Sequence, residues 1–355
     1  VAALAILASG CAVQGPFGDK AGGVPGGKVV LKLAVVSSQL QERPPVAYFI
    51  RRVDALSGGN IRINVIYNWK SPQTNAEQQV VADTAAGTVD LGVVGSRVFD
   101  TMGVKSLQAL TAPMLIDSYP LENAVLRSGI AKQMLAGIAR LNVTGLALIA
   151  NGLRKPVAVA RLGPLLGRRD WRGINFGTYL SNVQGNAIRA LGATPLVAFS
   201  SLRTRYLQTG RLKGFEMNVL TYDTNSYWSL APFITANVNL WPQVDAVVAN
   251  SSALAGLTSQ QRGWLERAAR EAAARSTGIM VAAENRVLPA ICERGTRFVD
   301  ASRADLASLH RAFAPLYSRL EQNRETRSFI SRIESLKRST PAGQQLAIPK
   351  SCFAR

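Results

Sequence analysis

Between residues 29 and 94 the hydrophobic period switches repeatedly between two and about 3.6, and this alternation restricts the folds open to the chain. Residues 29–36 are a short apolar run suited to a buried strand. Residues 46–56 carry apolar side chains at helical spacing and stop at Ser57-Gly58-Gly59. Residues 61–67, IRINVIY, alternate with period two, residues 75–86 return to helical spacing before Gly87, and 89–94 is again strand-like. Strand, helix, strand, helix, strand implies a parallel sheet with helices on its faces, an α/β fold.

The pattern then starts again. Residues 142–150 read as a buried strand, followed by strands over 156–160 and 173–177, a helix over 183–191 and a strand over 195–199. A helix over 202–209 and a strand over 212–218 complete the set. Strands over 233–240 and 244–249 flank Trp241-Pro242, which reads as a return from a second lobe to the first. Thr258-Ser-Gln-Gln261 matches a capping box. The helix it opens can run to Cys292, roughly 50 Å at 1.5 Å per residue, so it bridges lobes or wraps one; Gly263, Gly278 and Pro289 are the places where it could break. Helices over 305–320 and 326–336 close the fold. A chain of 355 residues has room for two such lobes. We divide it into lobe I, residues 28–150 plus 242–285, and lobe II, residues 151–241 plus 286–355.

Ahead of them, residues 1–10 are apolar and end in small residues before Cys11, like the back half of a lipoprotein signal peptide. Cys11 is then the lipidated residue, and the Gly- and Pro-rich stretch that completes 11–27 is a flexible tether. With Cys11 lipidated, Cys292 and Cys352 remain as an even pair in an exported chain, which favours a disulfide between them. The net charge of +19 is scattered, its densest cluster being Arg168, Arg169 and Arg172, and lacks the interleaved aromatics of a nucleic-acid binder. The single histidine, His310, has no Cys or carboxylate at ligand spacing and no nucleophile signature beside it. We expect no metal, no cofactor and no enzyme activity.

A series of short motifs resembles the solute-binding proteins of tripartite ATP-independent periplasmic (TRAP) transporters, from residue 29 to about residue 336. The series runs through Ser57-Gly-Gly-Asn-Ile-Arg-Ile-Asn-Val65, Glu77 to Gly87-Thr-Val-Asp90, Leu110-Thr-Ala-Pro113 and Asn151-Gly-Leu-Arg154. It continues through Asp170-Trp-Arg-Gly173-Ile-Asn-Phe-Gly177, Leu191-Gly-Ala193-Thr-Pro195, Leu207-Gln-Thr-Gly210 and Gly214-Phe-Glu216-Met-Asn218. The resemblance implies a two-lobe periplasmic-binding-protein-like fold of type II character, with crossing strands and a long helix spanning both lobes. It implies a binder of organic acids, tethered outside the cytoplasmic membrane, monomeric, that closes on its ligand and delivers it to small and large membrane subunits. A lipoprotein sensor of the same fold is the alternative, and an envelope enzyme a more distant one.

The resemblance also places ligand contacts at Arg154, Asn218, Phe199, Glu77, Ser96 and position 177. The family's main salt bridge to a substrate carboxylate comes from an arginine that here is Gly177, a residue with neither charge nor donor. Arg154 is therefore expected to supply the main positive charge. Trp69, Tyr222 and Trp241 are further aromatics that could line a pocket.

Overall fold

The computed structural model describes residues 27–341 and 346–353; Cys11 and the tether up to residue 26 lie outside them. The first lobe is built from β1 (Val29–Val35), α1 (Pro44–Ser57), β2 (Ile61–Ile66), α2 (Ala76–Ala85) and β3 (Leu91–Gly95). The two short helices α3 (Tyr119–Arg127) and α4 (Gly129–Ala136) lead into β4 (Val143–Ala158). The second lobe follows with β5 (Asn175–Thr178), α5 (Asn182–Leu191), β6 (Thr194–Val197), α6 (Ser200–Gln208), β7 (Gly214–Met217), α7 (Val219–Thr224) and β8 (Phe233–Thr235). The chain returns through β9 (Trp241–Asn250) and α8 (Ser251–Ala255) to α9 (Ser259–Glu293), and ends in β10 (Arg297–Val299), α10 (Arg303–Leu320) and α11 (Arg324–Ser339).

The strand order is β2-β1-β3-β9-β4-β7-β5-β6, with β8 joining β4 to β10. The β1–β2, β1–β3, β5–β6 and β5–β7 pairs are parallel, as the alternation of strand and helix predicts. β4 and β9 run antiparallel to each other, and β4 belongs to both half-sheets. They are the crossing strands.

Period-two alternation decides which face each residue serves. On β1, Leu31, Leu33 and Val35 point to one apolar layer while Ala34 points to another. On β9, Val247 and Ala249 take the first layer and Ala246 and Val248 the second. A third layer under the second lobe holds Phe215, Met217, Tyr227 and Phe298. The long helix α9 feeds all three, with Leu265, Ala268 and Ala272 in the first-lobe layer, Met280 in the shared one, and Leu288 and Ile291 under the second lobe.

Two readings need correction, and a third, the long helix, holds. The strands expected over 142–150 and 156–160 are one strand, β4, with a register shift between Ala150 and Leu153. Gly152 makes that shift: its φ is +84°, and a Cβ there would lie 2.7 Å from the Asn218 Cβ, so only glycine fits. Trp241-Pro242 is not a break between strands but the start of β9, where Pro242 pairs with Leu153 and Trp241 with Arg154. Helix α9 runs unbroken through Gly263, Gly278 and Pro289, over 35 residues, with the Thr258–Gln261 capping box at its start.

Cys292 and Cys352 form a disulfide with Cα atoms 5.3 Å apart. It docks residues 346–353 on the end of α9, where Ala347 N donates to Asn285 Oδ1 (2.8 Å) and Phe353 bridges to Phe298.

Candidate functional site

The lobes meet over a floor of buried charge. Asp245 and Gln243 lie two apart on β9 and so share a face. The Asp245 carboxylate pairs with Arg43 and accepts from Asn151 Nδ2 (3.1 Å) and Gln243 Nε2 (2.9 Å). Gln243 Oε1 in turn accepts from Arg97 Nη1 (2.7 Å). Arg97 also pairs with Glu77, whose other oxygen accepts from Gly95 N (3.0 Å). Gly95 is needed here, because a Cβ would lie 1.9 Å from Arg97 Nη1.

Arg154 approaches from β4. Its Nε lies 3.4 Å from Glu216 Oε2, and its Nη1 donates to Met217 Sδ (2.9 Å). From α6 comes Arg203, 1% exposed, donating to Ala198 O (2.8 Å) and Tyr227 Oη (3.5 Å). The guanidinium groups of Arg97, Arg154 and Arg203 converge on the ring of Tyr179, at 4.0, 5.4 and 5.1 Å from its centre. Phe199 packs its edge against the same ring at 5.3 Å.

The charge count is uneven. Arg43, Arg97 and Arg154 each face a carboxylate: Asp245, Glu77 and Glu216. Arg203 forms no ion pair among the described residues, so its charge is the one in this cluster with no carboxylate at ion-pair distance. The Nε atoms of all three converging arginines are buried without a hydrogen-bond partner, as is Glu216 Oε2. Buried polar atoms are normally satisfied, so a cluster of orphans marks a place built for something else. Burial alone would lower the Arg203 pKa, but Tyr179 and then Tyr227 raise it above its ordinary value, so Arg203 is always charged.

What this cleft belongs to follows from the whole chain. Residues 35–323 match the family model of bacterial extracellular solute-binding proteins, family 7. The chain belongs to this family. A C4-dicarboxylate-binding periplasmic protein, DctP, of Rhodobacter capsulatus is 23% identical over 299 residues, covering 83% of this chain and 87% of that protein. Among solved structures, a TRAP periplasmic solute-binding protein of Anaerococcus prevotii with bound D-glucuronate superposes with a TM-score of 0.78 at 18% identity, covering 89% of this chain and 100% of the other. One of Xanthobacter autotrophicus with bound β-D-galacturonate gives 0.76 at 18%, covering 86% and 99%. One of Ralstonia eutropha with bound (S)-2-acetolactate gives 0.77 at 16%, covering 87% and 99%. At these identities the structures establish the fold, two lobes with crossing strands and a bridging helix.

In this family 7 protein the residues expected at the site divide. Arg154 and Phe199 both stand beside Tyr179, although Glu216 offsets the main positive charge expected from Arg154. Glu77 is there as the partner of Arg97, and Ser96 is buried next to it in sequence. Asn218 is committed elsewhere: its Oδ1 caps α7 through Thr221 N (2.7 Å) and its Nδ2 donates to Asn151 O (2.6 Å). It clamps the Gly152 bulge. Gly177 offers the site no side chain, and a Cβ there would meet Phe215 Cβ at 3.0 Å and Leu212 Cδ1 at 3.1 Å, so the space beside it is already filled. Of the aromatics, Trp241 is buried with its Nε1 unpartnered, whereas Tyr222 is tied to Thr296 and Ala231 in the core and Trp69 to Asp83. Arg97, Tyr179 and Arg203 were missed. Arg203 sits in Leu202-Arg203-Thr204-Arg205, which reads as a solvated helix face.

A second contact ties the lobes together. Asp100, just beyond β3, accepts from Ser181 Oγ (2.7 Å), Asn182 N (3.0 Å) and Val183 N (2.9 Å) at the start of α5. A carboxylate at a helix N-terminus gains both from free N–H groups and from the helix dipole. Asp100→Asn removes the charge while keeping the shape. It should populate a more open form and weaken ligand binding about tenfold, since a charge-assisted hydrogen bond is worth about 1.5–3 kcal/mol. Small-angle scattering should show a larger radius for Asp100→Asn; an unchanged radius and affinity would mean that the contact forms no part of closure.

Proposed function

We propose that this protein is the extracytoplasmic solute-binding subunit of a TRAP transporter and that it captures a small anionic organic solute between its lobes. The observation that carries the ligand class is the buried Arg203, which has no ion-pair partner among the described residues while the arginines beside it are each paired with a carboxylate. The uronates and the acetolactate held by its structural relatives, and the dicarboxylates of its curated relative, are all acids of this size. Ligand held by one lobe gains contacts to the other on closure, so binding favours the closed form, which membrane subunits then recognise. Capture and release need no bond-making step, so the reading is of a binder and not an enzyme.

The same reading includes a monomer anchored through a lipid on Cys11. The lobe division we propose is 28–150 with 242–285 and 151–241 with 286–355, amended by the packing of α11 against α3 in the first lobe. The mass of the N-terminal peptide from native envelopes reports the lipid directly; an unmodified Cys11 in that peptide rules it out.

Calorimetric titration with D-galacturonate, D-glucuronate and C4-dicarboxylates against neutral galactose and glucose tests the ligand class. Acids should bind and neutral sugars should not. Arg203→Met should weaken the bound acid by about 1.5–3 kcal/mol, roughly ten- to a hundredfold. Equal affinity for a neutral sugar, or full affinity in Arg203→Met, removes the anionic reading.

A further inference from the structure

Tyr179 lies on the two-residue link between β5 and the Ser181 cap of α5. Its ring is half-buried, while Arg97, Arg154 and Arg203 around it are buried to 3% exposure or less. These arginines come from different parts of the fold: the turn after β3, the crossing strand β4 and helix α6. All three guanidinium groups are within cation–π range of the one ring. Three like charges converging on one side chain require compensation, and two of them have a carboxylate. For the third, the electron-rich rings of Tyr179, Phe215 and Tyr227, with the hydroxyls of the two tyrosines, stand in for an anion.

We propose that Tyr179 is a built-in occupant of the anion site, holding with its ring the point where Arg97, Arg154 and Arg203 converge, so that an anionic ligand enters by displacing it. This rests on the anionic reading above and adds the residue that sets the threshold for it. A π face is a weaker partner for guanidinium than a carboxylate, which offers bidentate charge-assisted hydrogen bonds to the unpartnered Nε–H groups. An incoming carboxylate therefore wins the exchange, while a neutral hydroxyl does not. The ring is the least buried member of the cluster and is carried on a short link, so it can swing out without unfolding an element, leaving its edge contact with Phe199. The phenol registers the field. Burial pushes its pKa up, yet Arg203 and then Arg154 draw it below its ordinary value. The occupant also screens selectivity, because a ligand too weakly charged to displace the ring leaves the arginines covered.

Sulfate serves as the probe, since it needs no knowledge of the natural solute. Binding is measured by calorimetry at fixed ionic strength. Tyr179→Ala should bind sulfate at least tenfold more tightly than the unsubstituted protein, Tyr179→Phe, which keeps the ring and loses only the hydroxyl beside Arg203, should gain much less than Tyr179→Ala, and Tyr179→Ala with Arg203→Met should lose the gain. Tyr179→Ala that binds sulfate no better, or worse, overturns the proposal. Should Tyr179→Ala fail to fold, fluorine NMR of the 3-fluorotyrosine-labelled protein decides, with the Tyr179 resonance assigned by its loss in Tyr179→Phe. Saturating sulfate should shift that resonance more than any other, and a resonance that stays fixed while sulfate binds overturns the proposal. The two readings fail separately: an unimproved Tyr179→Ala beside intact acid binding sinks the occupant alone, whereas acid binding that ignores Arg203→Met sinks the anionic ligand itself.

Discussion

Replacing Cys292 and Cys352 by serine together should cost about 4 kcal/mol of unfolding free energy, from the entropy that a 60-residue closed loop removes from the unfolded chain. The loop is unusually well placed to matter. Cys292 lies at the last turn of α9, and Cys352 is fully buried in the apolar layer that holds Phe215 and Phe298. Without the bond, residues 346–353 keep the Ala347–Asn285 hydrogen bond, the Phe353 contact with Phe298 and the packing of Leu346 and Ile348. That segment should then detach before the lobes unfold, as weakly held chain ends do. Urea unfolding of the double variant against the oxidised parent measures the loss, and limited proteolysis locates it. A loss under about 1 kcal/mol would mean that the noncovalent contacts alone hold the segment and that the unfolded chain is already compact near these residues.

The disulfide and the β-α alternation were legible in the sequence for the same reason: both depend on residue type and order alone. Val29–Val35 and Leu91–Gly95 alternate or run apolar whatever surrounds them, and the capping residues Thr258 and Gln261 act within one turn. The two crossing strands were read too short because Gly152 and Pro242 are local breakers, and only their partners, Asn218 and Leu153, turn them into a bulge and a strand start. Helices α3 and α4 went unread because they are short and broken by Ser128-Gly129. The cleft was the least legible part. Its arginines are ordinary in composition among the 41 basic residues of the chain, and what distinguishes Arg203 from a surface arginine is burial beneath Tyr179 and Tyr227, a fact of packing. The resemblance pointed to Gly177, where the local space is closed by Phe215 and Leu212 and glycine brings no side chain.

Glu122→Gln should remove one defined part of the pH dependence of stability between about pH 4.5 and 8. Glu122 is a fully buried carboxyl on α3, facing Thr277 and Glu284 of α9, near Tyr119 on its own helix, with Lys155 on β4 beside Glu284. Thr277 Oγ1 donates to Oε2 at 3.4 Å, and Oε1 has no partner. Glu284 is better served, accepting from Val219 N (2.8 Å) and from the Tyr119 hydroxyl. Burial first, and the nearby Glu284 second, push the Glu122 carboxyl up from 4.5 to about 8. The unfolded chain therefore releases this proton near pH 4.5 while the folded chain keeps it until about pH 8. The stabilising contribution is complete below pH 4.5, falls by about 1.4 kcal/mol for each pH unit above it, and is exhausted above pH 8. Glutamine has nearly the same shape and no proton to lose, so the two proteins should be close in stability at pH 4.5 and differ by about 3 kcal/mol in favour of Glu122→Gln at pH 7. A residual slope should persist in Glu122→Gln, because the Glu284 pKa is also raised by burial. Urea unfolding of both proteins at pH 5, 6, 7 and 8 gives the comparison, and parallel curves would show that Glu122 ionises in the folded state as it does in the unfolded one. The position gives the result its interest: α3, the middle of α9 and β4 meet here, where the helix that bridges the lobes crosses the strand that joins them. A carboxyl kept neutral at that crossing lets the bridge pack closely, and a charge there would force water or a counter-ion into the joint about which the lobes move.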